Sequence, residues 1–178
     1  MRTGILVFLF LFSFTQVSWS QTRSERKALK LEKAIKAYEE TKLLLDGGAY
    51  FFDAVWMYPR SGTQVNLVNN PGYITFKTTN EIDMHLPYFG VVRISGGFNQ
   101  PAGIKHKGKI SSYKIVHNDD KRSSVITFKA NSSSEQYDIS LTVYSSGSAS
   151  IFVSSTKRDA IRYRGQISVI DNETITKN

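Results

Sequence analysis

From Gly48 onward the side chains alternate between apolar and polar with a period of two, which commits most of the chain to β-strands with one dry and one wet face. The rhythm is clearest at residues 136–143, where Tyr137, Ile139, Leu141 and Val143 alternate with Gln136, Asp138, Ser140 and Thr142. Such a pattern suits an antiparallel sheet. Ser145-Ser146-Gly147-Ser148 then turns the chain, and Ala149, Ile151 and Val153 resume the inward face, which predicts a hairpin. The last strand places Ile161, Tyr163, Ile167 and Val169 on one side and Arg162, Arg164, Gln166 and Ser168 on the other. Weaker alternations at 65–68, 73–77, 82–86, 91–95, 110–117 and 125–130 raise the total to about nine or ten short strands. Turn clusters such as Asn69-Asn70-Pro71-Gly72 separate them, and no segment supplies a helical crossover, so sequence neighbours pair as a meander.

Residues 50–58 depart from strict alternation, carrying Tyr50, Phe51, Phe52, Val55, Trp56, Met57 and Tyr58 on both faces. This strand is expected to lie centrally or beneath a helix. Asp53 shares the parity of Phe51, Val55 and Met57, and a carboxylate buried there needs a partner, such as an arginine on a neighbouring strand.

Between residues 22 and 46 the period changes. Ala28, Leu31, Ile35, Tyr38 and Leu45 recur at helical spacing, opposite a face carrying Arg26, Lys27, Lys30, Lys33, Lys36 and Glu40. Thr22 and Glu25 form a capping box, and Gly47-Gly48 supplies the stop. The fold expected is therefore α+β and mostly β. An N-terminal amphipathic helix packs on a strongly curved antiparallel meander or open barrel of about nine to ten strands.

Ahead of the helix, Arg2 precedes a run from Gly4 to Phe14 with hardly a polar atom. About eleven apolar residues reach only about 16 Å as a helix, against a hydrocarbon core of about 30 Å, so residues 1–20 read as a signal peptide rather than an anchor. Ser18 and Ser20 flank Trp19 in a small-x-small arrangement that places cleavage after Ser20. Residues 21–178 then form a single helix-plus-sheet domain without a membrane-spanning segment. The expected destination is the periplasm or the medium. The chain has no cysteine, which removes disulfides, thiolate chemistry and a lipid-bearing cleavage site together.

At residues 86–90 the alternation stops, and Leu86-Pro87-Tyr88-Phe89-Gly90 predicts a tight corner with rings pinned into the core or over a groove mouth. With the exported N-terminus, the helix, the aromatic strand and the late Tyr163-Arg164-Gly165, this string resembles the DUF4251 family of exported Bacteroidota proteins of unknown function. The resemblance covers most of the mature chain. It implies a cell-envelope or secreted location and carries over no active site. Many relatives look like lipoproteins, a pattern from which this cysteine-free chain departs.

The net charge of +8 admits anionic partners, and for an exported protein these are amphiphiles or acidic glycans before nucleic acid. Lys105-His106-Lys107-Gly108-Lys109 is the densest basic cluster, following a glycine-rich loop at 96–103. Arg162 and Arg164 add charge on the outward face of the last strand. Curvature that joined the two groups would make an anion-attracting rim, with Tyr88, Phe89 and Phe98 lining an apolar interior beneath it. The candidate ligand-binding residues are therefore Tyr88, Phe89, Phe98, Lys105, His106, Lys107, Arg162 and Arg164.

Catalytic and metal motifs are absent from the sequence. His85, His106 and His117 lie on separate segments without HxxxH, HxH or HExxH spacing, and no GxSxG, Walker, GxGxxG or EF-hand pattern occurs. No metal, cofactor or catalytic residue is assigned. The leading expectation is a non-catalytic cell-envelope protein that binds an amphiphilic or anionic ligand, or another envelope protein. The alternatives are a hydrolase using Asp53, Asp83 or Asp138 with a histidine, and a purely structural assembly module.

Overall fold

The structure is a computed structural model that describes residues 22–60, 62–89, 92, 103–132 and 135–170. The expected signal peptide, the strand expected at 91–95 apart from Val92, Phe98 and most of the glycine-rich loop lie outside the described residues.

Among the described residues one helix, α1 (Arg23–Asp46), precedes nine strands: β1 (Tyr50–Tyr58), β2 (Val65–Asn66), β3 (Gly72–Thr78), β4 (Glu81–Leu86), β5 (Ile104–Asn118), β6 (Ser123–Asn131), β7 (Gln136–Tyr144), β8 (Ser148–Ser155) and β9 (Ile161–Ser168). The chain forms two compact units, one ending at Lys33 and one beginning at Ala34. In the first, the capping box forms as read. The Thr22 amide donates to Glu25 Oε2 at 2.9 Å, and the Glu25 amide donates to Thr22 Oγ1 at 3.3 Å.

In the second unit the strands pair antiparallel in sequence order, and β1 also pairs with β9, so the sheet closes as an eight-stranded barrel with β2 as a short extra strand beside β1. An open barrel was within the expectation; the β1–β9 pairing makes it closed. Closure needs Gly165. A Cβ at this position of β9 would overlap the Asp53 carbonyl oxygen of β1, because the two backbones approach closely where the register shifts between Ala54 and Trp56.

That bulge corrects the reading of β1. The buried side chains are Tyr50, Phe52 and Ala54 and then Met57, so Asp53 faces outward and is exposed instead of lying in the core. A second correction concerns β5, whose strand begins at Ile104 and takes the basic cluster into the sheet. Ile104 pairs with Leu86 in the interior, while Lys105, Lys107 and Lys109 point out opposite His85, Asp83 and Glu81.

Eight strands enclose a space that side chains can fill. Among the described residues it is occupied by Tyr50, Phe52, Phe76, Leu86, Phe128 and Tyr163 with their aliphatic neighbours, all nearly inaccessible to solvent. Tyr50 stacks on Phe76 at 4.2 Å, and Phe76 meets Phe128 edge-on at 5.4 Å. Of the candidate aromatics, Tyr88 belongs to this core and Phe89 is exposed.

The second half of α1 seals one end of this barrel. Gly48 ends the helix in the left-handed region, at φ 72°. Tyr38, Thr41 and Leu45 are the helical residues that bury, whereas Leu31 and Ile35, expected on the same stripe, are about half exposed. Tyr38 Oη donates to Asp119 Oδ1 at 2.9 Å, and Lys42 reaches the same oxygen at 3.2 Å. These bonds tie the helix to the β5–β6 turn. No helix among the described residues is long and apolar enough to cross a membrane.

Candidate functional site

The Leu-Pro-Tyr-Phe string proves to be a fastener at the barrel end opposite the helix. Leu86 ends β4 in the core, the Pro87 carbonyl accepts a hydrogen bond from Tyr163 Oη at 2.7 Å, and Tyr88 Oη donates to the Asp159 carbonyl at 3.1 Å. Gly72 makes room for the corner, since a Cβ there would lie 2.6 Å from Pro87 Cδ. Tyr88 is buried with its hydroxyl and ring both engaged, while Phe89 is exposed.

Beside it lies a polar network with no signal in the sequence. Arg158 Nε donates to both carboxylate oxygens of Glu135, at 2.9 and 3.2 Å, Tyr137 Oη donates at 2.9 Å, and Ser155 Oγ donates as well. The Arg158 guanidinium covers the Tyr88 ring at 5.2 Å. Burial pushes the Glu135 carboxyl up, but the hydrogen bonds from Ser155, Arg158 and Tyr137 outweigh it and hold the group below its ordinary value. Tyr137 is pushed up to about 12, first by burial and then by the Glu135 charge it faces. Every member of this cluster serves another, which makes it structural.

At the helix end, His117 Nε2 lies 3.0 Å from Asp46 Oδ1 and Nδ1 lies 2.7 Å from Ser124 Oγ. The order matches a catalytic relay, but Ser124 is fully buried and its hydroxyl has no path to a substrate. The three aspartates considered for hydrolysis are placed differently: Asp83 pairs with Lys107 at 3.0 Å, Asp138 pairs with Lys129 at 3.3 Å, and Asp53 is exposed. Among the described residues no group of three His, Cys, Asp or Glu side chains is arranged to hold a metal ion.

Closure separates the two basic groups expected to form one rim. Lys105 and Lys107 lie on β5 and Arg162 and Arg164 on β9, four strands apart in a ring of eight. On the β3–β5 wall, Phe51, Tyr73 and His85 stack in series at 6.0 and 5.9 Å, and a groove of about 250 Å³ runs past Tyr73, Asp83, His85, Lys105 and Lys107. Its charges are mostly spoken for. Asp83 hydrogen-bonds Lys107 and raises its pKa, while burial and then Lys105 push His85 down, against the pull of Asp83. His106 also lines this groove, with Nε2 3.1 Å from the Lys109 carbonyl oxygen.

The β7–β9 wall is different. A groove of about 560 Å³ is lined by Ser140, Thr142, Tyr144, Ser150, Phe152, Arg162 and Arg164, among others. Cross-strand register builds two rows, Thr142–Ser150–Arg164–Trp56 and Ser140–Phe152–Arg162–Tyr58. Both arginines are exposed, and among the described residues neither pairs with a carboxylate. The Arg164 guanidinium lies over the Tyr58 ring at 5.0 Å, which fixes its plane. Two rings are open to solvent, Tyr144 at 48% and Phe152 at 41%. Sequence reasoning found the arginines and missed the rings and hydroxyls. Phe152 carried the signal, since it is the apolar residue out of phase between Ile151 and Val153.

The profile of the family described as "Domain of unknown function (DUF4251)" matches residues 32–167, well over half of the chain. A crystal structure of a DUF4251 family protein from Bacteroides eggerthii superposes with a TM-score of 0.60 at 12% identity, covering 81% of this chain and 96% of that one. At that identity the likeness establishes the fold alone. No curated protein matches the sequence.

Proposed function

Since the chain belongs to the DUF4251 family, whose description assigns no activity, its role has to be read from its own surface, and we propose a non-catalytic, exported cell-envelope protein that binds an anionic ligand on the outer wall of the barrel. One observation carries this reading: Arg162 and Arg164 stand side by side on β9 in the β7–β9 groove, with no carboxylate among the described residues to neutralise them. Two residues along a strand separate them by about 7 Å, a spacing that accommodates one anion between two guanidinium forks or two successive anionic groups.

The reading is tested by titrating the mature chain at low salt with phosphatidylglycerol vesicles, polyglutamate and trigalacturonate, beside the double variant R162A/R164A. At least one anion binds, and the double variant weakens it at least about tenfold, because exposed arginines bind through charge-assisted bonds that alanine cannot make. Undiminished binding by the double variant, or no binding at all, overturns the proposal. Export is checked separately by sequencing the mature N-terminus from envelope and medium fractions, where Gln21 is expected and an intact Met1 contradicts the reading.

A further inference from the structure

The β7–β9 wall offers more than charge, and building on the anion-binding reading we infer that its ligand is an acidic saccharide, a chain of sugar rings bearing carboxylate or sulfate groups. Three features converge. First, the two rows named above place a hydroxyl on β7, a serine or a phenylalanine on β8, an arginine on β9 and an aromatic ring on β1. At about 4.8 Å between strands each row spans roughly 14 Å, the scale of an oligosaccharide and longer than a single small anion.

Second, the hydroxyls of Ser140, Thr142 and Ser150 make no hydrogen bond within the protein among the described residues, so they are left to donate to and accept from ring hydroxyls. Third, Tyr144 and Phe152 expose their rings in a groove whose other lining residues are mostly serines, a threonine and the two arginines. The apolar C–H face of a pyranose covers such a ring while its edge hydroxyls meet the serines, and the acid group of the sugar meets an arginine fork.

An anionic lipid fits this wall less well. Its headgroup satisfies the arginines, but its acyl chains need an apolar slot, and the groove on this wall is lined mostly by hydroxyl-bearing side chains and arginines. An acidic peptide satisfies the charges and leaves the row of hydroxyls and the open rings without a purpose. The β3–β5 wall also has stacked rings, but Asp83 takes up Lys107 there.

The test titrates the full mature chain with trigalacturonate, a sulfated heparin tetrasaccharide, neutral galactotriose, phosphatidylglycerol vesicles and polyglutamate. One or both acidic saccharides bind, and galactotriose binds at least about tenfold more weakly, since it lacks the groups the arginines clasp. F152A weakens saccharide binding severalfold. R164K, which keeps the charge and loses the planar fork, also weakens it. These side chains are exposed, and an unchanged melting temperature verifies the fold of each variant.

Binding of vesicles or polyglutamate, but of neither acidic saccharide, in a manner abolished by R162A/R164A removes the saccharide inference and leaves the anion-binding reading standing. Saccharide binding that is indifferent to F152A and shared equally by galactotriose removes it as well. Failure of every probe overturns both.

Discussion

The two ends of the barrel are closed by ionic networks of opposite character. At the helix end, Lys42 and Asp119 pair at 3.2 Å with side chains 23% and 74% exposed, and Tyr38 and His117 complete the contact. At the far end, Arg158 and Glu135 pair at 2.9 Å with side chains only 4% and 3% exposed. Water competes for the Lys42–Asp119 and His117–Asp46 pairs of the first network and is shut out of the second. The ion pairs of the first add little to the burial of Tyr38, Thr41 and Leu45 that docks the helix. The corner formed by Leu86, Pro87 and Tyr88 is locked over the second.

Removing one buried partner gives the largest effect. E135A leaves Arg158 charged and buried, and is expected to lose about 3–5 kcal/mol of unfolding free energy in urea. The double variant E135L/R158M recovers most of that loss. A single variant no worse than the double would mean that water reaches this end after all.

Acid sharpens the comparison next. The carboxyl of Glu135 is depressed in the fold, so its stabilising contribution is present above the unfolded value near 4.5 and is lost as pH falls through the lower folded value. Urea midpoints measured down the acid range should fall steeply for the native chain and more gently for E135Q, with a smaller flattening in D119N, whose exposed carboxylate is held below its ordinary value by Tyr38 and Lys42. In alkali the sign reverses. Tyr137, raised to about 12, contributes stability below pH 10 that is lost between 10 and 12, so its phenol should be seen by absorbance to ionise late and together with unfolding.

Y38F removes one hydrogen bond from the helix end and is expected to cost about 1 kcal/mol in the same denaturation assay. The smallest effect belongs to K42A, which should leave the urea midpoint unchanged, because the Lys42 ammonium is solvated with or without Asp119. A K42A loss rivalling that of E135A would erase the distinction between the ends.

Much of the barrel is legible in the sequence. Tyr137 to Val143 and the hairpin to Val153 bury as their alternation requires, the helix starts and stops at its capping residues, and neighbours pair in order. Periodicity is a local property, and it failed where long-range pairing decides. The bulge opposite Gly165 turned Asp53 outward, and pairing with β4 drew Lys105 and Lys107 into a strand. Glu135 and Arg158 sit among serines and loop residues, and nothing in their surroundings announces burial until the ends of β7 and β8 meet. The binding wall was half visible. Arg162 and Arg164 were found by their parity, but their separation from Lys105 and Lys107 follows from closing the ring, and the partnership with Tyr58 and Phe152 from register.

The pairing of β1 with β9 also has a kinetic meaning. The first strand to be synthesised has no neighbour on one edge until the last, Ile161–Ser168, is available, so ring closure waits on a loop of more than a hundred residues. A chain cut short before β9 keeps two unpaired sheet edges and a core open along a seam, and the native state arrives only when the whole chain does.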